Sequence, residues 1–475
     1  MPGAEFREQS IKALADTQLR DNFRRAMDGL IGRRAALFAE GQDWTALRAL
    51  GAAAKLNALA HLPELLERLE TKLVANGVKV HWAQTIEEGN EIVKAILAAR
   101  GAKRVVKGKS MVSEEMHLNH VLEAEGIEVI EGDLGEYIIQ LDHETPSHII
   151  LPAIHKNKKQ IAKLMFEKIK NAQYSEDVDT LTATARRVLR EKFEEADAGI
   201  SGVNFAVAET GTLVLVENEG NGRMVTAVPP VHIAIMGLEK VVERLEQIPA
   251  LLNLLTRSAT GQPITTYINM ITGPRRAGEK DGPEEIHLLI LDNGRSRVYA
   301  DPELRDTLRC IRCGACMNHC PVYTRVGGHT YPGVYPGPIG KILTPQMAGL
   351  DTAGDLPHAS ALCEACTEIC PVGIPIGDLL VRLRREGVRP GHGQIPVKGA
   401  GSRASARESM IWRGWRAVYA TPVLYRLMMW GLTRFGRFVP AWMPGLRAWT
   451  QIRAMPEFAP HSLHEMVDRA GVSRE

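Results

Sequence analysis

The chain has 475 residues, 24% of them charged, and a formal net charge of +2. At about 150 residues per domain this length gives roughly three folded units with sizeable cores, and so even a charge balance gives no global field of the kind that draws nucleic acid. No stretch reaches the roughly 18 uninterrupted apolar residues of a membrane span and the amino terminus lacks an apolar signal core, so a cytoplasmic protein with reduced thiols is expected.

Residues 1–76 read as a helical lead-in, because Leu56, Leu59, Leu62, Leu65, Leu66, Leu69 and Leu73 recur mostly at three- and four-residue steps. From 77 to 295 the pattern alternates. Short β-rich runs at 78–81, 104–106, 127–130, 148–151, 212–216, 232–236 and 286–291 are separated by amphipathic helices such as 85–99 and 113–125. Strands alternating with helices predict an α/β layer domain with a largely parallel sheet.

Ligands of open α/β sheets bind outside the carboxyl ends of the strands. The loops at 107–111, 132–137 and 208–224 stand there, which makes Lys107, Ser110, Glu136, Glu209, Asn218, Glu219, Asn221 and Arg223 candidates for lining a small-molecule pocket. The plain alternative is that Asn218 to Gly222 only makes a turn. No G-x-G-x-x-G dinucleotide fingerprint is present, and the phosphate-loop look of Gly108, Lys109 and Ser110 fails because Lys103 stands where a glycine is needed. No catalytic residue can be assigned.

All seven cysteines fall between Cys310 and Cys370. Cys310, Cys313, Cys316 and Cys320 before Pro321 are spaced C-x2-C-x2-C-x3-C-P, the bacterial ferredoxin run; Cys363, Cys366 and Cys370 before Pro371 repeat its second part. Zinc fits poorly, since it draws pairs of ligands from two separate knuckles. Disulfides fit poorly too, because the count is odd and the chain is too large to need them. Three close cysteines wrap one cluster while the one before proline reaches the neighbouring cluster. On that rule Cys310, Cys313, Cys316 and Cys370 bind one 4Fe-4S cluster. Cys320, Cys363 and Cys366 bind a second, either 3Fe-4S or 4Fe-4S, because Ser360 stands where another cysteine would be.

This ferredoxin-type segment is expected to span 296–388. A Gly, Pro, Ser and Arg-rich linker should follow at 389–409. The region 410–475 differs in kind: between Trp412 and Trp449 it holds five tryptophans and six arginines with no Asp or Glu. Such a composition suits a membrane interface or a protein interface, or else a helical tail folded back on the body.

These residues carry a family resemblance. KGKSMVSEE at 107–115, EGDLGEYIIQL at 131–141, PSHIILPAIHK at 146–156 and AETGTLVLVENEGNGRM at 208–224 resemble the lactate-utilisation domain. CIRCGACMNHCPVY and LCEACTEICPV resemble the iron-sulfur subunit, the protein B family, of bacterial lactate-utilisation complexes. The resemblance implies an α/β domain related to the sugar-phosphate isomerase and CoA-transferase-like folds, followed by a helical two-cluster ferredoxin segment. It also implies two partner subunits in a complex that oxidises L-lactate to pyruvate, with the same cluster ligands as above.

The expected role is that of an electron carrier rather than the catalytic subunit, passing electrons to an acceptor the sequence does not identify. A tail that meets the inner face of the membrane would make the protein peripheral there. Two other readings are an iron-sulfur enzyme whose own α/β domain converts a small carboxylate, and a redox-sensing binding module.

Overall fold

The computed structural model describes residues 2–39, 43–391, 393, 396–440, 442–443, 450, 454–455 and 457–471. Two compact units emerge, Met1–Arg403 and Ala404–Glu475.

Four helices open the first unit: α1 (Pro2–Ala15), α2 (Thr17–Ala39), α3 (Trp44–Ala60) and α4 (Leu62–Ala75). In α4 the leucine spacing does what it predicts, burying Leu62, Leu65, Leu66, Leu69 and Leu73. Alternation then begins with β1 (Lys79–Ala83), α5 (Ile86–Ala99), β2 (Arg104–Lys107), α6 (Met111–Glu115), α7 (Leu118–Ala124), β3 (Glu128–Glu131) and α8 (Leu134–Leu141). Thr85, Ser110 and Asp133 each cap the following helix by accepting a backbone N–H three residues on. Helices α9 (Lys158–Lys168) and α10 (Val178–Glu194) lead to β4 (Ala198–Gly202), β5 (Phe205–Val207), β6 (Thr212–Glu217), α11 (Asn221–Ala227), β7 (Val231–Gly237) and β8 (Val241–Val242). The domain closes with α12 (Ile248–Thr260), β9 (Tyr267–Ile271) and β10 (Glu285–Leu291).

Six strands form one parallel sheet in the order β1-β10-β7-β4-β2-β3. Its central strands β4 and β7 are buried along their whole length, as expected where both faces of a parallel sheet are covered. A smaller mixed sheet, β8-β5-β6-β9, sits beside it.

Two sequence expectations need correction. Residues 148–151 form no strand: the His148 Nδ1 accepts the N–H groups of Ile150 (3.0 Å) and Leu151 (3.2 Å), which bends the chain and removes those donors from any ladder. The helix expected over 113–125 is two helices, broken at His117, whose φ of 51° lies in the left-handed region.

After α13 (Arg295–Ala300) the cysteine region supplies the short helices α14 (Ala315–Asn318) and α15 (Tyr323–Val326), then α16 (Gly337–Ala348), α17 (Leu350–Ala353), α18 (Ala365–Ile369) and α19 (Ile376–Val388). One core joins this region to the helical lead-in and the small sheet, through Phe23, Met27, Leu30, Val214, Leu251, Ile311, Met317 and Leu380 among others. Part of the expected linker is pinned as well. The N–H groups of Gly401 and Arg403 bond the carbonyls of Glu386 and Gly387 at the end of α19, groups a helix terminus leaves unsatisfied, and Val397 is buried.

The second unit contains α20 (Ala406–Ala420), α21 (Pro422–Phe435) and a short helix Leu463–Arg469. Trp412, Trp415 and Trp430 are each more than half exposed. Arg447 and Trp449 lie outside the described residues.

Candidate functional site

The two cysteine runs fold alike. In the first, Arg312 (φ 60°) and Gly314 (φ 82°) turn left-handed on either side of Cys313; in the second, Leu362 (φ 51°) and Glu364 (φ 60°) do so around Cys363. Each turn is followed by a short helix, α14 and α18 respectively. The Cys310 Sγ accepts the N–H of Arg312 at 3.4 Å, and the Ser360 Oγ accepts the N–H of Leu362 at 3.2 Å. Ser360 thus stands where Cys310 stands in the first run. At the far ends, the Cys320 Sγ accepts Tyr323 N–H (3.4 Å) and the Cys370 Sγ accepts Ile374 N–H (3.3 Å).

The thiols gather across the runs. Burial pushes up the Cys313 thiol, with repulsion from Cys310 and Cys370 adding to it; burial pushes Cys366 up to about 11, with repulsion from Cys320 adding to it. Cys320, Cys363, Cys366 and Ser360 line one small cavity together with Glu364 and Gly377. Arg48 of α3 ties the second run down from the other side, donating to the carbonyls of Cys370 (2.7 Å) and Thr367 (3.0 Å).

Around the sulfurs lies an excess of buried positive charge. Glu239 accepts Arg295 (2.8 Å) and Arg312 (3.1 Å), and Arg295 holds Glu115 through two bonds of 2.9 Å. Among the described residues Lys55 reaches only backbone carbonyls, those of Glu239 (2.5 Å) and Val241 (3.4 Å). Lys240 makes no hydrogen bond or ion pair among the described residues, and burial pushes both lysines down to about 8. The Nε and Nη1 of Arg312 are buried without hydrogen-bond partners among the described residues. On the other run Lys341, 1% exposed, has the Cys320 Sγ as its hydrogen-bond partner at 3.5 Å. A buried charge without a counterion is costly. Thiolate-bound iron-sulfur clusters are anionic and would offset the charge of Lys55, Arg312 and Lys341, so the donor set and its surroundings fit such groups.

The second feature is a cavity of about 620 Å³. It lies at the carboxyl ends of β2, β4 and β7 and is closed by residues of α2 and α12 and by Arg312 of the first cysteine run.

Family comparisons agree with this organisation. Residues 66–291 match the LUD domain, 306–374 the 4Fe-4S dicluster domain, and 382–472 the C-terminal domain of lactate utilisation protein B. Proteins called lactate utilization protein B are similar over nearly the whole chain. The one from Geobacillus sp. (strain WCH70) is 44% identical over 96% of this chain and 94% of its own. That of Bacillus pumilus is 43% identical over 95% and 94%, and that of Bacillus subtilis (strain 168) 42% over 96% and 94%. The chain belongs to the lactate utilization protein B family. A DUF162 family protein from Deinococcus radiodurans of known crystal structure shows a looser likeness, 14% identical with a TM-score of 0.28 over 48% of this chain and 98% of that one.

Within this family member the sequence-predicted pocket residues divide. Ser110, Asn218, Glu219 and Asn221 line the large cavity. Lys107 does not: it is fully buried between Glu114 and Glu131, 2.8 Å from each. Glu136 does not line it either: it is buried, its carboxyl pushed up by burial and by Glu131. Glu209 caps the turn after β8 by accepting Leu245 N–H at 3.1 Å, and Arg223 is exposed, over the Tyr267 ring at 6.0 Å. Sequence reasoning missed Asp133, Asn204, Lys240 and Arg312 as lining groups. Lys240 follows a strand end, so the rule that selected the other loops would have found it.

Glu144, His155 and His329 also converge, with donor atoms within 4.8 Å of one another. Burial opposes ionisation of Glu144, but hydrogen bonds from His155 and Lys156 outweigh it and hold the carboxyl at about 2. The Lys156 ammonium, 2.9 Å away, already supplies the positive charge there.

Proposed function

We propose that the chain is an iron-sulfur electron-transfer subunit of a complex that oxidises L-lactate to pyruvate for use as a carbon and energy source, a carrier and not the site of the chemistry. The observation that carries this is two like-folded cysteine loops in one core, with buried lysines beside their sulfurs that lack carboxylate partners. Membership of the lactate utilization protein B family supports it.

Cys310, Cys313, Cys316 and Cys370 would hold a 4Fe-4S cluster, and Cys320, Cys363 and Cys366 the second. The crossed pairing is supported by the cavity that Cys320 shares with Cys363 and Cys366. Ser360 on the fourth position suits a 4Fe-4S cluster with an oxygen ligand; a 3Fe-4S cluster would leave that oxygen free. Electron paramagnetic resonance with iron and sulfide counts separates the two. When bound, such clusters would supply one-electron sites. The chain's own part is to position the thiols, donate backbone N–H groups to sulfur, and surround the sites with fixed positive charge, which raises their potentials. The α/β part belongs, in this reading, with the sugar-phosphate isomerase and CoA-transferase-like folds, supported by its six-stranded parallel sheet.

Two further subunits and a terminal electron acceptor complete the assembly. Among the described residues no helix is long and apolar enough to cross a membrane. The exposed tryptophans and arginines of the second unit suit docking to a partner or to the inner membrane face from a cytoplasmic location. The deciding experiment adds L-lactate anaerobically to the purified chain, alone and with its partner subunits, and follows cluster absorbance. Bleaching only with the partners is expected. Bleaching of the chain alone would replace the carrier with an enzyme whose own cavity converts the carboxylate.

A further inference from the structure

The 620 Å³ cavity falls within the usual range for ligand pockets, about 300–1,000 Å³, and has the usual make-up of apolar walls with a few polar groups. Its walls include Leu30, Ile149, Val203, Leu215, Ile235 and Leu255. What distinguishes it is which polar groups have unused capacity.

The acids are taken. Asp133 accepts the Glu136 N–H (3.1 Å) and the Asn221 amide (3.3 Å). Glu217 accepts the N–H groups of Gly222 (2.7 Å) and Arg223 (2.6 Å) and the Asn269 amide (2.9 Å). Glu219 is pushed by burial and by Asp133 towards its neutral form. Lys109 is anchored on the Ile150 carbonyl at 2.7 Å. Lys240 is different: it is 8% exposed, lines the cavity, and has no hydrogen bond or ion pair among the described residues. An ammonium taken from water without a partner is expensive, and here the residue that carries it lines a ligand-sized space. Arg312, one residue before Cys313, lines the same cavity and adds to the positive field.

We infer that this cavity binds an organic oxyanion, a carboxylate or a phosphate, with its charged end on the Lys240 ammonium beside the first cysteine run. The ligand's body lies along the apolar walls at the carboxyl ends of β2, β4 and β7. This deepens the carrier reading, on which it rests for its meaning, by giving the chain a point of contact with a small redox partner next to the cluster held by Cys310.

The test is calorimetric titration of the anaerobically purified full-length protein with sodium pyruvate and with inorganic phosphate, against sodium chloride as control. Saturable binding of at least one oxyanion is expected, and its preference names the source. Lys240→Met should weaken binding at least tenfold when binding is normalised to measured iron and sulfide content, while Lys240→Arg should retain it. If Lys240→Met loses its clusters, competition in the wild type and in Lys240→Arg decides: mutual displacement by pyruvate and phosphate supports one oxyanion site, and independent binding overturns it. Absence of binding to the wild type, or equal binding to Lys240→Met, also overturns it. The heat of binding requires no electron transfer, so clusters without anion binding sink this inference alone, whereas anion binding to a chain that takes up no iron sinks the carrier reading alone.

Discussion

Cys320 and Cys370 each stand before a proline, each buried, each accepting a backbone N–H from just downstream. If ligands cross between the runs, Cys370→Ser should damage the cluster held by Cys310, Cys313 and Cys316, and Cys320→Ser the one held by Cys363 and Cys366. Spectra of the two variants check this: should Cys320→Ser abolish the same signal as Cys310→Ser while Cys370→Ser spares it, each run binds its own cluster.

His148 gives a second test at this scale. It is buried, it accepts two backbone N–H groups through Nδ1, and its Nε2 meets the Asn318 Oδ1 at 3.0 Å, between Cys316 and Cys320 in sequence. Burial pushes its pKa down to about 4, and burial does the same to His232. A histidine lowered in the folded state leaves the unfolded chain binding more protons, so its contribution is complete above about pH 6.5 and is lost as pH falls towards 4. The loss is on the order of 3 kcal/mol for each group. Denaturant midpoints at pH 7.5 and pH 5 should therefore fall markedly in the wild type. His148→Gln should show a smaller fall, the remainder belonging to His232 and to His81, His287, His319 and His329, which burial also lowers.

At the scale of elements, β4 and β7 stand at the centre of the sheet with α11 laid against β4. The approach is close: a Cβ on Gly199 would lie 2.0 Å from the Val225 carbonyl oxygen of α11. Gly199→Ala must push that helix away, at a cost of ~1–3 kcal/mol by the usual scale for overpacking. Chemical denaturation should show this, and an unchanged midpoint would mean α11 can shift freely. The same closeness explains why β4, with two glycines in AGISG, gave no strand signal in the sequence. Gly199 serves a helix whose Val225 lies 26 residues later, and Gly202 makes room for Ser110, 92 residues earlier. Strand β7, all apolar except His232, was legible without help.

At the scale of the whole molecule, every cysteine lies in the unit that ends at Arg403. Truncation after Arg403 keeps the bonds from Gly401 and Arg403 to α19 and removes α20 and α21. The truncated chain should retain its iron while complex assembly or co-sedimentation with anionic vesicles weakens, each lost arginine near such a surface being worth about 1 kcal/mol. Loss of iron on truncation would make the tail part of the cluster-bearing fold and remove the docking role.

The sequence by itself determined what is local. Cysteines two or three residues apart declare a ligand set because one turn of chain brings them together, and apolar runs of strand length declare a buried parallel sheet. The repeat of that set, down to Ser360 in place of a cysteine, was readable for the same reason. Tertiary structure decided what depends on distant partners. Lys107, Glu136, Glu209 and Arg223 looked like Ser110 and Asn221 in the sequence, since all stand at strand ends; only packing shows which are tied to neighbours and which face the cavity. Lys55 meets the carbonyl of Glu239 across 184 residues, and Arg312 meets its carboxylate across 73. A lysine's lack of a partner, on which the oxyanion site rests, is a property of everything folded around it, and no spacing along the chain encodes it.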